Sequence, residues 1–179
     1  WPDGWHGSKT NITADKVVLV TTGAHSGNNA CQLIVDTTKM YRFTMQPVSV
    51  NVVEQYIVSF WVKGQGEIRA GLYNGGNTYN YLSYHEINNA QYVYCEDTIT
   101  VGNTDAASEF ILGVKNTVAT SGHLIVDDVT VTMVVADDFV AEPVATITGN
   151  LVTTDTYVAS ATVSLSTVTE GASIYYTMD

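Results

Sequence analysis

The feature that most constrains this chain is an alternation of apolar and polar residues in short runs that end in glycine or asparagine. In Tyr56-Ile57-Val58-Ser59-Phe60-Trp61-Val62-Lys63 the apolar set Tyr56, Val58, Phe60 and Val62 recurs at period two. That is the spacing of a strand with one face on a core. Further strand signals lie at 17–20, 30–36, 67–73, 78–86, 91–101, 108–115 and 123–134, with a weaker one at 40–45. Gly23 to Asn29, Asn74-Gly75-Gly76-Asn77, Gly102-Asn103 and Ser121-Gly122 supply turns between them. Gly64-Gln65-Gly66 reads as a hairpin loop joining 56–63 to 67–73. Thr and Val, whose branched Cβ suits a pleated surface, dominate, and no segment sustains a helical period. Roughly eight to ten short strands at this spacing predict an all-β fold, a β-sandwich or jelly roll.

The stretch Ala136-Asp137-Asp138-Phe139-Val140-Ala141-Glu142-Pro143 breaks the pattern. Its acidic pair and proline oppose strand pairing, which sets a boundary between a domain at 1–137 and a tail at 138–179. Strands are expected in the tail at 144–148, 161–166 and 172–178. Some forty residues are too few for an ordinary independent core, so the tail is either half a domain or leans on its neighbour. The sequence begins at Trp1-Pro2-Asp3-Gly4-Trp5 and ends inside the strand pattern Ser173-Ile174-Tyr175-Tyr176-Thr177-Met178-Asp179. Both ends read as those of a fragment of a larger modular protein.

Charge excludes several classes of partner. The net charge is -11, and the seven Lys and Arg residues form no run along the sequence that would neutralise phosphates. Nucleic acid is therefore not expected as a ligand, nor is an anionic membrane surface. No stretch of about 18 apolar residues is present to insert into a bilayer. The Lys-poor, Thr- and Asn-rich character suits a secreted or cell-surface module. His6, His25, His85 and His123 are scattered among turns and strand starts. No nucleophile-elbow or zinc-protease motif occurs, and Glu67, Glu86, Glu96 and Glu109 stand alone on their strands. No catalytic constellation is expected.

The two cysteines, Cys31 and Cys95, each share strand parity with apolar neighbours, Leu33 and Val35 for the first and Val93 and Ile99 for the second. Both thiols should point inward, either as a disulfide across the core or as two separate buried thiols.

Aromatic and polar side chains gather around the 56–73 segment. Trp61, Arg69 and Tyr73 have outward parity, and Tyr79, Tyr81 and His85 follow closely. A sugar offers an apolar C–H face to a flat ring and hydroxyl edges to Arg, Asn, Glu or His, so these six residues form a candidate glycan platform. Ordinary packing of aromatics on a half-buried sheet accounts for the same pattern. Trp5 belongs either to a loop rim or to a plug at one end of the sandwich. Asp127 shares parity with Ile125, Val129 and Val131 and is expected on the inward face, where a carboxylate must be paired, protonated or metal-bound.

The ordered series Trp1-Pro2-Asp3-Gly4-Trp5, His25-Ser26-Gly27, Tyr56 to Gly64 and Leu124-Ile125-Val126-Asp127-Asp128-Val129-Thr130-Val131 resembles jelly-roll carbohydrate-binding modules of families 4, 9 and 22 and the wider galactose-binding-like group. Those modules begin with an Asn-Gly-acidic-Phe-Glu strand that is not found here. The resemblance implies a structural calcium ion held by Asp127 and by oxygens near Ser26 and Gly27; the alternative is a carboxylate satisfied by backbone amides of a nearby loop. The tail, through Ala161 to Ser166 and Gly171 to Asp179, resembles the small immunoglobulin- or fibronectin-like β-sandwich repeat of chitobiase-type secreted bacterial glycosidases, in incomplete form. Together these resemblances imply a non-catalytic module that holds an exported bacterial multi-domain protein on a polysaccharide or oligosaccharide. Its partners would be that glycan and the attached domains of the parent. A structural spacer or adhesion module without a ligand is the second reading, and a region accessory to a glycoside hydrolase the third.

Overall fold

Gln55–Tyr73 forms one continuous 19-residue strand, β4, in the computed structural model. It replaces the hairpin expected around Gly64-Gln65-Gly66. The glycines bend the strand instead of reversing it: Gly64 has φ +114° and Gly66 +152°, conformations that a side chain opposes. Residues 1–36, 38–50, 54–75, 78–102, 108–118, 122–134, 142–153, 156–168 and 173–175 are described by the structure.

Around β4 run β1 (Val17–Val20), β2 (Ala30–Val35), β3 (Tyr41–Thr44), β5 (Tyr79–Tyr81), β6 (His85–Thr100), β7 (Glu109–Lys115) and β8 (Gly122–Val134). The order β1-β2-β8-β4-β7-β3 is completed by β5 and β6, both paired to β4. All these pairings are antiparallel. Before its bend β4 lies between β6 and β8; beyond it, Glu67 to Tyr73 pair with β7 on one side and with β6 and β5 on the other. The fold is an all-β jelly roll.

Strand parity carries through the bend. Val58, Phe60 and Val62 before it and Ile68, Ala70 and Leu72 after it all enter one core with Leu33, Phe43, Leu112 and Val126. Phe60, Leu33, Ile68 and Leu72 are fully buried, each contributing about 1.5–3 kcal/mol of apolar burial. Trp5 is half-buried and stacks on Phe43 at 4.6 Å, closing part of the core as a plug.

Sheet order decides between the two alternatives for the cysteines, and register overturns the expectation for Asp127. Cys31 and Cys95 are free thiols, not a disulfide. Cys31 on β2 and Cys95 on β6 are separated by β8 and β4. Three strand spacings are about 14 Å, twice the Cα separation that a disulfide spans. Burial pushes both thiols up to about 11. Asp127 is not on the inward face. Opposite β4, Ser59 pairs with Thr130 and Trp61 with Asp127, so Phe60 faces two residues, Asp128 and Val129. This β-bulge reverses the parity of β8: Leu124 and Val126 point inward before it and Val129 and Val131 after it. Asp128, at φ +47°, takes up the distortion.

The chain divides into two units, Trp1–Val135 and Ala136–Asp179. The second contains β9 (Val144–Thr153) antiparallel to β10 (Thr156–Ser166), a two-stranded sheet. Of the strand expected at 172–178, residues 173–175 are not in a strand, and the other positions lie outside the described residues.

The bend yields a test. A Cβ on Gly64 would be driven into the His123 carbonyl, whereas one on Gly102 meets nothing within 4 Å. Gly64→Ala should cost about 3 kcal/mol in urea unfolding and Gly102→Ala less than about 0.5 kcal/mol.

Candidate functional site

On the face of β4 opposite the core, the second half of the strand presents Glu67, Arg69, Gly71 and Tyr73. Register places Arg42 of β3, Gly113 of β7 and Arg69 in one row across three strands. The next row contains Thr44, Ile111, Gly71 and Tyr81. Both rows have a glycine at a central position. The Tyr81 ring lies against Gly71, where a Cβ would come within 2.7 Å of it. At Gly113 a Cβ would approach Met40 Sδ to 3.0 Å and Arg69 Cγ to 3.4 Å. The glycines therefore let long side chains lie flat along the sheet.

Those side chains form a line of alternating rings and cations. The Lys115 ammonium lies 4.3 Å from the Tyr84 ring. Arg69 is sandwiched between Tyr84 at 4.3 Å and Tyr81 at 4.2 Å. Tyr81 is nearly parallel to Tyr79, with centroids 5.8 Å apart, and Arg42 lies 5.2 Å from Tyr79. Each such cation–ring contact stabilises by about 0.5–1 kcal/mol and, more usefully, fixes the ring plane. Burial raises the pKa of the Tyr81 and Tyr84 hydroxyls, so both are neutral donors at physiological pH. Tyr79, Tyr81, Tyr84, Arg42 and Arg69 are all partly open to solvent.

One end of this face is closed by the loop after His6. Glu109 is 1% exposed and accepts hydrogen bonds from Ser8 N at 2.9 Å, Ser8 Oγ at 2.7 Å, Lys9 N at 3.0 Å and Thr44 Oγ1 at 2.7 Å. Burial pushes the Glu109 pKa up, but these hydrogen bonds outweigh it and hold the carboxyl below its ordinary 4.5. Glu67 accepts from Thr117 N and Oγ1, both at 2.7 Å, and pairs with Lys115 at 3.2 Å. Burial raises its pKa too, and the Thr117 and Lys115 contacts again prevail. Both carboxylates are thus ionised and committed to structural partners.

The six sequence candidates do not form one site. Arg69, Tyr79 and Tyr81 lie together on the platform. Tyr73 is mostly buried at its edge, against Tyr79 at 5.1 Å and beneath the Lys9 ammonium at 4.5 Å. His85 pairs in register with Ile68, a core residue, so it points to the other face. There its Nε2 meets Asp97 at 3.1 Å and its ring meets Phe60 edge-on. Trp61, before the bend, stacks on His25 at 4.0 Å and contacts Tyr94 at 5.3 Å. Sequence reasoning missed Arg42 and Lys115, and it did not single out Tyr84 within the aromatic segment 79–85. Arg42 lies on the weakest expected strand, and only strand order brings it beside Arg69.

At Asp127 the loop turns N–H groups, not carbonyls, toward the carboxylate. His25 N donates to it at 2.7 Å, Ser26 N at 3.2 Å and Asp128 N at 2.9 Å. Asp128 in turn accepts from Ser26 Oγ and meets His25 Nδ1 at 2.7 Å. Calcium takes six to eight oxygen ligands. Three amide donors on one carboxylate do not fit that ion, whereas they satisfy the carboxylate fully. Among the described residues, no group of three or more His, Cys, Asp and Glu side chains is placed to hold a metal.

A cavity of about 460 Å³ opens near β1, β2 and β8. Its walls include Trp5, Val17, Leu33, Phe43, Leu112 and Val126. The lining is mostly apolar, with Asn29, Asp127 and Asp128 as its polar members, and both carboxylates are already bonded to the His25–Ser26 loop.

No protein-family model matches the chain, and no curated protein matches it. Solved structures do. The CBM22-1 xylan-binding domain from Paenibacillus barcinonensis Xyn10C aligns with a TM-score of 0.56 at 17% identity, over 75% of this chain and 88% of that one. The N-terminal cellulose-binding domain of Cellulomonas fimi β-1,4-glucanase C aligns with a TM-score of 0.52 at 16% identity, over 76% and 92%. A carbohydrate-binding module, TmCBM61 in complex with β-1,4-galactotriose, gives 0.52 at 16%, over 73% and 88%. At these identities the likeness is one of fold: the chain carries the jelly roll of carbohydrate-binding modules.

Two measurements check the local chemistry. Because the folded pKa of Glu109 lies below its ordinary 4.5, its stabilisation is complete at neutral pH and is lost as pH falls through the lower folded value. Glu109→Gln should therefore lose about 2 kcal/mol at pH 7 and show a shallower fall in stability on acidification. The amide cage at Asp127 predicts that neither calcium nor a chelator shifts the thermal midpoint; a rise of several degrees with calcium would overturn that assignment.

Proposed function

We propose that the first unit is a non-catalytic carbohydrate-binding module. The observation that carries this reading is the row of Tyr84, Tyr81 and Tyr79, braced by Arg69 and Arg42 on a partly open sheet face. Flat rings cover the C–H face of a pyranose, and the tyrosine hydroxyls and guanidinium N–H groups reach its oxygens. The fold likeness to a xylan-binding domain, a cellulose-binding domain and a module in complex with β-1,4-galactotriose supports the same reading, and a polysaccharide or oligosaccharide is the ligand it implies. Glu67 and Glu109 are the buried carboxylates nearest the platform. A general acid needs a raised pKa, and theirs are lowered.

The role would be targeting. Individual sites of this kind bind weakly and gain strength when several modules share one polymer. The parent is then an exported bacterial protein, secreted or held at the cell surface. The closer kinship to families 4, 9 and 22, and the tail as a spacer repeat of the chitobiase type, belong to the same proposal.

A glycan array of the whole chain tests the reading, followed by titration of Tyr81→Ala and Trp61→Ala against the best ligand. Tyr81→Ala should weaken binding by about tenfold with its melting temperature nearly kept, since each stacked ring supplies about 1 kcal/mol or more. Trp61→Ala, on the other half of β4, should bind normally if it folds. A folded protein that binds no glycan sinks the proposal and leaves a ligand-free spacer.

A further inference from the structure

Both arginines of this chain stand in the platform, with Lys9 and Lys115 at its two ends. Four of the seven basic residues thus share one face of a protein whose net charge is -11. Lys115 is paired to Glu67. Neither arginine has a carboxylate partner among the described residues. Arg42 donates through Nε to the Lys9 carbonyl at 3.0 Å and bonds the Tyr81 hydroxyl. Among the described residues Arg69 reaches the Leu82 carbonyl, at a long 3.5 Å, and Met40 Sδ, a weak thioether acceptor, at 3.1 Å. Its Nε is buried without a partner among the described residues.

A guanidinium held this way is costly unless something accepts its N–H bonds. In a chain with 18 Asp and Glu residues, an intramolecular acceptor is the ordinary solution. Three carboxylates do lie on this face. Glu109 is fully occupied by Ser8, Lys9 and Thr44. Glu67 is occupied by Thr117 and Lys115, and Glu86 sits opposite Glu67 in register, beyond the arginine row. Between the two arginines stands Gly113, and Met40 Sδ and the Arg69 side chain lie over it. Two strand spacings, about 10 Å, separate the backbones of Arg42 and Arg69, so both guanidinium groups serve one partly open face. The fork of a guanidinium matches a carboxylate in two parallel hydrogen bonds, which is the strongest polar contact available to such a site.

The geometry points to an acidic glycan as the ligand: a uronic-acid residue that lies along the tyrosine row and whose carboxylate is taken by the guanidinium groups of Arg69 and Arg42. This rests on the carbohydrate-binding reading and narrows it to uronate-bearing polymers. The acidic remainder of the molecule would repel such a polymer everywhere but on this face, which would set its orientation on the chain.

Polygalacturonate, alginate and glucuronoxylan, each beside its carboxyl-reduced counterpart, are the probes for titration with the whole chain. At least one native polymer should bind about tenfold or more tightly than its reduced form, and the difference should shrink as ionic strength rises from about 0.01 to about 0.15 M. Arg42→Gln and Arg69→Gln should each weaken binding of the native polymer more than that of its reduced form, so that the difference between the two shrinks toward zero. Arg69→Lys, which keeps charge but loses the fork, should recover only part of it. Should Arg69→Gln fail to fold, Arg42→Gln alone carries the test. Equal binding of native and reduced polymers, unaltered by either variant, overturns the uronate assignment and leaves the carbohydrate reading standing. Binding to no glycan at all, acidic or neutral, overturns both.

Discussion

The structure depends on one bent strand. β4 belongs to two halves of the sheet at once, and its bend at Gly64 and Gly66 is possible only because neither residue has a side chain to oppose the backbone. Parity survives the bend, so a single strand feeds six apolar side chains into one core. The same continuity distributes the outward residues over two surfaces. Before the bend, Trp61 meets the His25 loop; after it, Arg69 joins the tyrosines.

Polar groups are arranged around that frame with little left over. Glu109 ties the loop after His6 to β3 and β7, Glu67 ties Thr117 and Lys115 together, and Asp127 with Asp128 fastens the His25–Ser26 loop across the bulge of β8. In each case a carboxylate collects several N–H or O–H donors, which lets charge sit at low exposure without an unsatisfied partner. Against this background the two arginines stand out. They brace aromatic rings and have spare hydrogen-bonding capacity on an accessible face, the property expected of a surface built to receive something.

Much of the fold was legible in the chain. Period-two alternation located most strands of the first unit, because a sheet with one buried face must repeat at two residues, but it placed a break between 86 and 91 where β6 runs unbroken. It also assigned the core side of β4 correctly on both sides of Gly64. It misread the glycines as a reversal, since a three-residue Gly segment serves a hairpin and a bend equally well. It misread Asp127, since a bulge changes parity without any sequence signal as plain as glycine.

What the sequence by itself determined was therefore local: the all-β class, which residues alternate inward, and an aromatic-rich stretch from 79 to 84 with the chemistry of a sugar platform. Tertiary structure decided which of those residues are neighbours. Strand order put two strands between Cys31 and Cys95 and left both as thiols; it brought Arg42, from a strand barely visible in the sequence, to one glycine's width from Arg69. The physical reason is that alternation is fixed by the geometry of one strand, whereas pairing partners are chosen by contacts between residues far apart in the chain, whose energies no single stretch of sequence contains.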